Sequence, residues 1–264
     1  MREIRRRFLN FRLACGCLLA LLAATALAAD PNTFLNGASK DCTACDLSGR
    51  DLKERNFQRS RLDQALLRNA DLTGASLFRS TLQRSDFSGA KLVGANLNAI
   101  DAKWANFAGA DFTDALMYEA DLSSADLGGA MLKGAKLGRA RLNQAILTGA
   151  KLMLTDLRGA RLAGAKLAGA DLRSATLNGQ NLRTMDLQGV DFSMSDMIEA
   201  DFTAADLRGA QFAGVNLYAA NFNSADLRGA NFEGANLTNA IFTDARLDGV
   251  IFTDAIMPDG RRKE

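Results

Sequence analysis

Residues 205–229 read ADLRG-AQFAG-VNLYA-ANFNS-ADLRG, a run of five-residue units with Leu or Phe at the centre. The spacing continues without a slip from Cys42 to Met257, and 39 of the 44 residues at every fifth position are Leu or Phe. This period matches neither the helical repeat of about 3.6 residues nor the strand repeat of about 2. The segment is therefore expected to turn a corner once in every unit.

Each position of the unit has its own residue preference. Ala is the usual residue two places before the centre, Asp or Asn often directly precedes the centre, and Gly often stands two places after it. Ala and the central Leu or Phe are expected to point into a narrow interior. Burial of each large side chain there contributes about 1.5–3 kcal/mol to the stability of the fold. Gly suits turn torsions that a Cβ disfavours, and Asp or Asn suits bonds to backbone donors at the corners.

The repeated pattern A-[DN]-L-x-x resembles that of the pentapeptide-repeat family over residues 42–257. The resemblance implies an all-β fold, a right-handed quadrilateral β-helix in which every four units make one coil. The 44 units would then form about eleven coils. Together with the flanking segments, the predicted organisation is a signal peptide at 1–28, a lead-in and cap at 29–41, the β-helix at 42–257 and a tail at 258–264.

Deviations from the repeat predict local features of the interior. Central Phe residues that recur every twenty residues predict two ladders on opposite faces, Phe192, Phe212, Phe232 and Phe252 in one and Phe202, Phe222 and Phe242 in the other. Four consecutive inward positions lack Ala, namely Gln180, Met185, Val190 and Ser195. The coil that contains them is expected to be wider or bulged.

The N-terminal segment has the features of a bacterial export signal. A basic stretch from Met1 to Arg12 precedes an apolar run from Leu13 to Leu27, and the run is short for a membrane span. Small residues in the stretch Ala26–Ala28 favour cleavage before Ala29. The predicted destination is periplasmic or extracellular. General secretory and twin-arginine export are not distinguished, and a retained anchor is the alternative.

Composition and charge exclude several classes of function. The chain has no His, which excludes Ser-His-Asp and Cys-His catalysis and imidazole metal sites. The net charge of +2 includes +4 from residues 1–28, so the processed chain would carry −2. A surface of that charge does not favour nucleic acid as a partner. No catalytic, cofactor or metal site is predicted.

Cys42 and Cys45 are the one concentrated reactive feature in the repeat. In an oxidising compartment they are interpreted as a short structural disulfide in the N-terminal cap. A thioredoxin-like redox pair and half of a thiolate metal site are the alternatives. Arg50 and Arg55 occupy inward positions in the same region, and a charge is tolerated there only if that end of the coil reaches water.

Surface charge and apolar residues are unevenly distributed. Residues 131–168 have a net charge of +7, and residues 186–259 have a net charge of −9. Ile241, Ile251 and Ile256 occupy outward positions that elsewhere are often Asp or Asn. Exposed apolar groups at the end of a solenoid predict a contact. We therefore expect a weak homodimer through the C-terminal coils.

The sequence predicts a non-enzymatic, exported rod that acts as a structural scaffold or a protein-interaction surface. Its protein partner is unknown. The resemblance supplies one alternative, since some pentapeptide-repeat proteins mimic DNA and bind a topoisomerase in the cytosol. A periplasmic thiol redox protein that uses Cys42 and Cys45 is the other alternative.

Overall fold

Backbone pairing repeats every twenty residues in the computed structural model, which describes residues 28–264. The predicted signal segment, apart from Ala28, lies outside these residues. Four ladders of parallel bridges begin at Asp41, Asp46, Asp51 and Asn56, and we call them sides 1, 2, 3 and 4. Within residues 28–264 each side contributes a single bridge residue per coil rather than a longer strand. The chain forms a four-sided β-helix.

Corners between the sides follow from the residue preferences of the unit. The residue two places after the centre has a left-handed backbone conformation, with φ of 68° at Gly209 and 57° at Ala204. Gly takes this conformation without a steric cost, whereas Ala is held in it by the surrounding coil. The Asp46 Oδ1 atom accepts the backbone N–H of Ser48 at 2.9 Å, and other corners repeat this bond. The predicted roles of Gly and Asp are therefore confirmed.

The interior is filled by the central residues and by the small residues that precede them. Every central side chain from Leu62 to Leu237 is at most 3% exposed. Phe192, Phe212 and Phe232 stack at centroid distances of 5.2 and 4.7 Å, and Phe202 stacks on Phe222 at 4.8 Å. Rings of the two ladders meet edge to face at 5.6–6.3 Å across the interior. Both predicted ladders are present.

A short helix, α1 (Pro31–Leu35), covers the N-terminal end of the interior. Asp30 accepts the N–H of Asn32 at 2.9 Å as the N-cap, and Pro31 suits the first turn. Phe34 is buried and stacks on Phe57 at 4.9 Å. The guanidinium of Arg55 donates to the carbonyl of Leu35 at the C-terminal end of α1. Arg50 and Arg55 are exposed at this end, as expected.

The C-terminal tail folds back on the last coil. The Lys263 N–H donates to the Ala255 carbonyl at 2.8 Å, and Ile256 forms an antiparallel bridge with Arg262. This pairing covers side 4 of the last coil, and none of residues 28–264 forms a further coil above sides 1 to 3. Over the described part of the chain, no helix is both long and apolar enough to cross a bilayer.

The ladders on sides 1 and 2 are interrupted at one level. Bridges Arg141↔Arg161 and Asn181↔Asp201 are present on side 1, but Arg161 is not bridged to Asn181. On side 2, Lys166 is likewise not bridged to Asp186. Sides 3 and 4 continue through this level, for example at Asp156↔Thr176. The coil that was expected to be wider or bulged is therefore separated from the coil below it on two adjacent sides.

Large side chains at inward positions explain the interruption. Gln180 and Met185 are buried where neighbouring coils have Ala, so they hold the two coils apart. The Gln180 amide Nε2 donates to the Leu157 and Ala160 carbonyls, both at 3.0 Å. The Ala160 carbonyl would otherwise accept the N–H of residue 181, as the equivalent Ala140 carbonyl accepts Arg161 at 2.9 Å. The Gln180 side chain thus replaces one backbone bond of the ladder.

Candidate functional site

The N-terminal cysteines lie in the first coil at consecutive inward positions. Cys42 and Cys45 are 0% and 1% exposed, their Cα atoms are 5.2 Å apart, and their sulfur atoms are in bonding contact. The Cα separation lies in the disulfide range of about 4.4–6.8 Å. Because both sulfurs are buried, a thiol substrate has no direct access to them. The geometry favours a structural role over thiol exchange, and the disulfide itself stays a prediction.

The C-terminal end presents apolar side chains to solvent. Ile241 and Ile251 are each 47% exposed and Leu247 is 41% exposed, whereas Ile256 is half-buried because the tail pairs beside it. Of the three isoleucines predicted to form an interface, Ile241 and Ile251 are therefore the more available. Leu247 is a central residue of the last coil, and no other coil of the described residues lies above it. Sequence reasoning did not single it out, although its place in the last coil was a sufficient signal.

Backbone groups at the same end are also unpaired within the described structure. The N–H groups of Phe242, Leu247 and Phe252 have no bonded acceptor, although the equivalent N–H of Leu227 donates to the Arg246 carbonyl at 2.9 Å. Such a strand edge is a template for pairing with another chain. The C-terminal end therefore combines exposed apolar area with free backbone donors.

Charge at the C-terminal end is modified by the tail. Residues 186–259 have a net charge of −9, and residues 260–264 add Arg261, Arg262 and Lys263 against Glu264, a net +2. Arg262 lies 4.0 Å from Asp254, and Arg261 lies 3.6 Å from Asp259. The sum for residues 186–264 is thus −9 + 2 = −7. The end remains acidic, but the tail reduces the repulsion between two such ends.

Acidic residues of the ladders are engaged in structural bonds. The Arg228 side chain binds both carboxylate oxygens of Asp226, at 2.8 and 2.6 Å, and Arg246 approaches at 3.5 Å. These interactions lower the pKa of Asp226 to about 2, and the hydrogen bond from the Arg228 side chain has the largest effect. The Arg208 side chain likewise lowers the pKa of Asp206. In the part of the chain described, no cluster of three or more Cys, Asp or Glu side chains could hold a metal ion.

Basic residues of the middle coils include several without an acidic partner. Lys133, Lys151, Arg161 and Lys166 form no ion pair with any residue in 28–264. The residue types alone predicted the basic region, whereas only the structure shows which of these cations form ion pairs. The rod thus has a basic middle with available cations and an acidic, apolar C-terminal end.

Comparison with protein families gives one match over most of the chain. The family model described as pentapeptide repeats (8 copies) matches in overlapping stretches between residues 41 and 254. These stretches are 41–77, 56–94, 95–134, 125–164, 135–173, 155–193, 165–203, 186–223, 195–234 and 216–254. A search of curated proteins finds no match.

Comparison with solved structures finds two pentapeptide repeat proteins and a plasmid-mediated fluoroquinolone resistance protein. One is HetL, a pentapeptide repeat protein involved in heterocyst differentiation regulation in the cyanobacterium Nostoc sp. strain PCC 7120. It is 29% identical to this chain with a TM-score of 0.55, and the match covers 90% of this chain and 100% of HetL. A trypsin-treated form of QnrB1, a plasmid-mediated fluoroquinolone resistance protein, is 25% identical with a TM-score of 0.39, covering 78% and 89%. A pentapeptide repeat protein of the Arabidopsis thaliana thylakoid lumen is 31% identical with a TM-score of 0.28, covering 37% and 65%.

Proposed function

Because the chain belongs to the pentapeptide-repeat family, whose members form right-handed quadrilateral β-helices, we propose that it is a non-enzymatic, exported rod that acts as a scaffold or protein-interaction surface. Proteins of this family are generally structural or interaction proteins rather than enzymes. The observation that carries the proposal is the filled interior, in which central side chains from Leu62 to Leu237 are at most 3% exposed. Recognition is therefore left to the outer faces and the two ends.

Export is proposed from the N-terminal sequence and from the cysteines. The basic and apolar segments of residues 1–28 support a cleaved signal, and a buried Cys42–Cys45 pair suits an oxidising compartment. Cell fractionation followed by N-terminal sequencing tests this. A periplasmic or secreted chain that begins at Ala29 is expected. A cytosolic chain that retains residues 1–28 would contradict export and would favour the topoisomerase-binding alternative.

A weak homodimer through the C-terminal end is part of the proposal. Ile241, Ile251 and Leu247 are exposed there, and each apolar side chain contributes about 1.5–3 kcal/mol when fully buried. Two-fold contacts are the commonest in soluble homo-oligomers. The two ends carry charge of the same sign and repel each other. Salt screens this repulsion, with a screening length of about 8 Å at physiological ionic strength. The dimer is therefore expected to strengthen as salt rises.

Light scattering at rising salt measures this association. The mass of the wild-type rod should increase toward that of a dimer, and Ile251→Asp should keep it monomeric. Met131→Asp is the matched control, because Met131 has a similar exposure of 44% and lies on the same side 3 in the middle of the rod. A wild-type monomer at every salt concentration, or equal effects of the two variants, would exclude this interface.

A further inference from the structure

The interrupted level of the rod leaves a slit between two coils, bounded below by residues 159–169 and above by residues 178–188. On its lower edge, the N–H groups of Leu162 and Gly164 have no bonded acceptor in the described structure. One coil earlier, the equivalent N–H groups of Leu142 and Gln144 donate to the next coil at 2.8 and 2.9 Å. The slit therefore exposes backbone donors that every neighbouring coil uses for pairing.

The upper edge presents the complementary acceptors. On side 1, the carbonyls of Asn181 and Arg183 accept no bond from the lower coil, whereas the upper coil itself is held from above, with the Leu182 N–H donating to Asp201 at 2.8 Å. The two edges thus face each other across the slit without pairing, although the Thr184 hydroxyl donates to the Arg183 carbonyl at 2.7 Å and leaves that oxygen one further lone pair. Donors and acceptors spaced along parallel strand edges are the groups that pair with an added strand.

The slit contains open volume and reaches the interior. A cavity of about 320 Å³ lies on side 1 and adjoins a second of about 400 Å³ on side 2, and both are lined by Gly164 and Met185. These volumes fall in the range of about 300–1,000 Å³ that is usual for ligand pockets. Ala165 and Met185 are each 6% exposed, whereas most inward residues of other coils are fully buried. An occupant would therefore contact apolar groups on its inward face.

Charge around side 1 of the slit is positive. Arg161 is exposed on the lower edge and forms no ion pair with residues 28–264. Arg141 stands one coil below and Arg183 lines the cavity from above, and these two are bound to Asp121 and Asp201. The outward carboxylates of an occupant would reach the guanidinium of Arg161. Charge-assisted hydrogen bonds of this kind are among the stronger hydrogen bonds in proteins.

We propose that the slit on side 1 binds an extended acidic peptide segment of a partner protein, which pairs as a parallel strand between the two edges. Its backbone carbonyls would accept from Leu162 and Gly164, and its N–H groups would donate to the carbonyls of Asn181 and Arg183. Small apolar residues would point inward and acidic residues outward toward Arg161. The tail of a second copy does not match, because residues 260–264 are basic.

This inference rests on the proposed role as an interaction rod and names the class of partner. The probe is a fluorophore-labelled peptide, acetyl-Glu-Val-Glu-Ala-Glu-Val-Glu-amide, added to the purified full chain and followed by anisotropy. Saturable one-site binding is expected. Arg161→Ser should weaken it about ten-fold, equivalent to ~1.4 kcal/mol. Lys91→Ser is the matched control, since Lys91 is an exposed cation at the same position of the unit, and it should leave binding unchanged.

A second variant tests the slit itself. Gln180→Ala combined with Met185→Ala restores the small inward residues of other coils, so the ladder should close and binding should be lost while the thermal transition is kept. Hydrogen exchange provides an independent readout. In the free protein, the amides of Leu162 and Gly164 should exchange faster than those of Leu142 and Gln144, and the peptide should slow them.

Four results would overturn the proposal. One is the absence of peptide binding, and another is slow exchange of Leu162 and Gly164 in the free protein, which would mean that the slit is closed in solution. Equal binding of a peptide with Pro at its central position would exclude strand pairing, because Pro lacks the N–H. Displacement of the labelled peptide by inorganic phosphate would indicate a general anion site. All assays use purified protein, so they are independent of the fractionation and the light scattering that test export and dimerisation.

Discussion

Replacing Phe212 with Ala should destabilise the C-terminal half of the rod strongly. Phe212 is fully buried and stacks between Phe192 at 5.2 Å and Phe232 at 4.7 Å. It also meets Phe202 and Phe222 edge to face at 5.7 and 6.0 Å. The substitution therefore removes one ring from a ladder and leaves a void in contact with four other rings.

The magnitude follows from the packing. Phe→Ala substitutions in protein cores cost about 3–5 kcal/mol, and aromatic pairs contribute ~0.5–1.5 kcal/mol beyond their buried area. The coils cannot collapse into the void, because backbone bonds fix their spacing, for example from the Phe212 N–H to the Asn231 carbonyl at 2.7 Å. A cost toward the upper end, about 4–5 kcal/mol, is therefore expected.

Urea unfolding followed by circular dichroism measures the loss. Phe78→Ala is the control, because Phe78 lies at an outward position where it is half-buried, with the Arg79 guanidinium over its ring at 5.0 Å. That change should lower the free energy of unfolding by less than about 1 kcal/mol. Phe212→Leu, which installs the other usual central residue, should lie between the two. If Phe212→Ala lowered the free energy of unfolding no more than Phe78→Ala does, the inward assignment of the Phe ladders would be wrong.

Three further outcomes are expected. Arg228→Ala should have little effect on stability at neutral pH, because exposed ion pairs contribute about 0–1 kcal/mol. Bonding to Arg228 lowers the pKa of Asp226 from 3.8 to about 2, so the associated stability is present above pH 3.8 and is lost as the pH falls toward 2. The small difference in unfolding free energy between wild type and variant should therefore be largest above pH 3.8 and shrink as the pH falls toward 2, and a difference that grows in acid would contradict this. Thiol counting in denaturant on exported protein should find Cys42 and Cys45 oxidised, whereas reductase activity on insulin that Cys45→Ser abolishes would favour the redox alternative. Leu227→Asp should lower the melting temperature sharply, since it places an unpaired charge among fully buried side chains.

Most of the fold was predictable because a solenoid is built from local rules. Each unit contacts mainly its neighbours one coil away, so a residue preference repeated at fixed spacing specifies the same geometry at every level. The Phe ladders follow directly, since central residues twenty positions apart must stack. An irregular coil was also predictable from Gln180 and Met185, because their volumes exceed that of Ala at the same inward position.

Other features depended on which partners meet in space. The sequence marked one coil as atypical, but the structure decided that it opens on sides 1 and 2, since Asp156↔Thr176 and Asp171↔Asp191 keep the other two sides paired. The sequence marked the C-terminal isoleucines, but the fold-back of the tail decided that Ile256 is half-buried while Ile241 and Ile251 remain exposed.

The sequence by itself determined the period, the interior and the placement of corners, because those depend on residue size and backbone freedom within one five-residue unit. Only the tertiary structure decided, within residues 28–264, which backbone donors are bonded and which cations are paired with carboxylates. Pairing of this kind joins atoms from different coils, and a shift of one coil against the next changes it without altering any local pattern. The slit beside Arg161 and the partly covered C-terminal end are both consequences of such pairing.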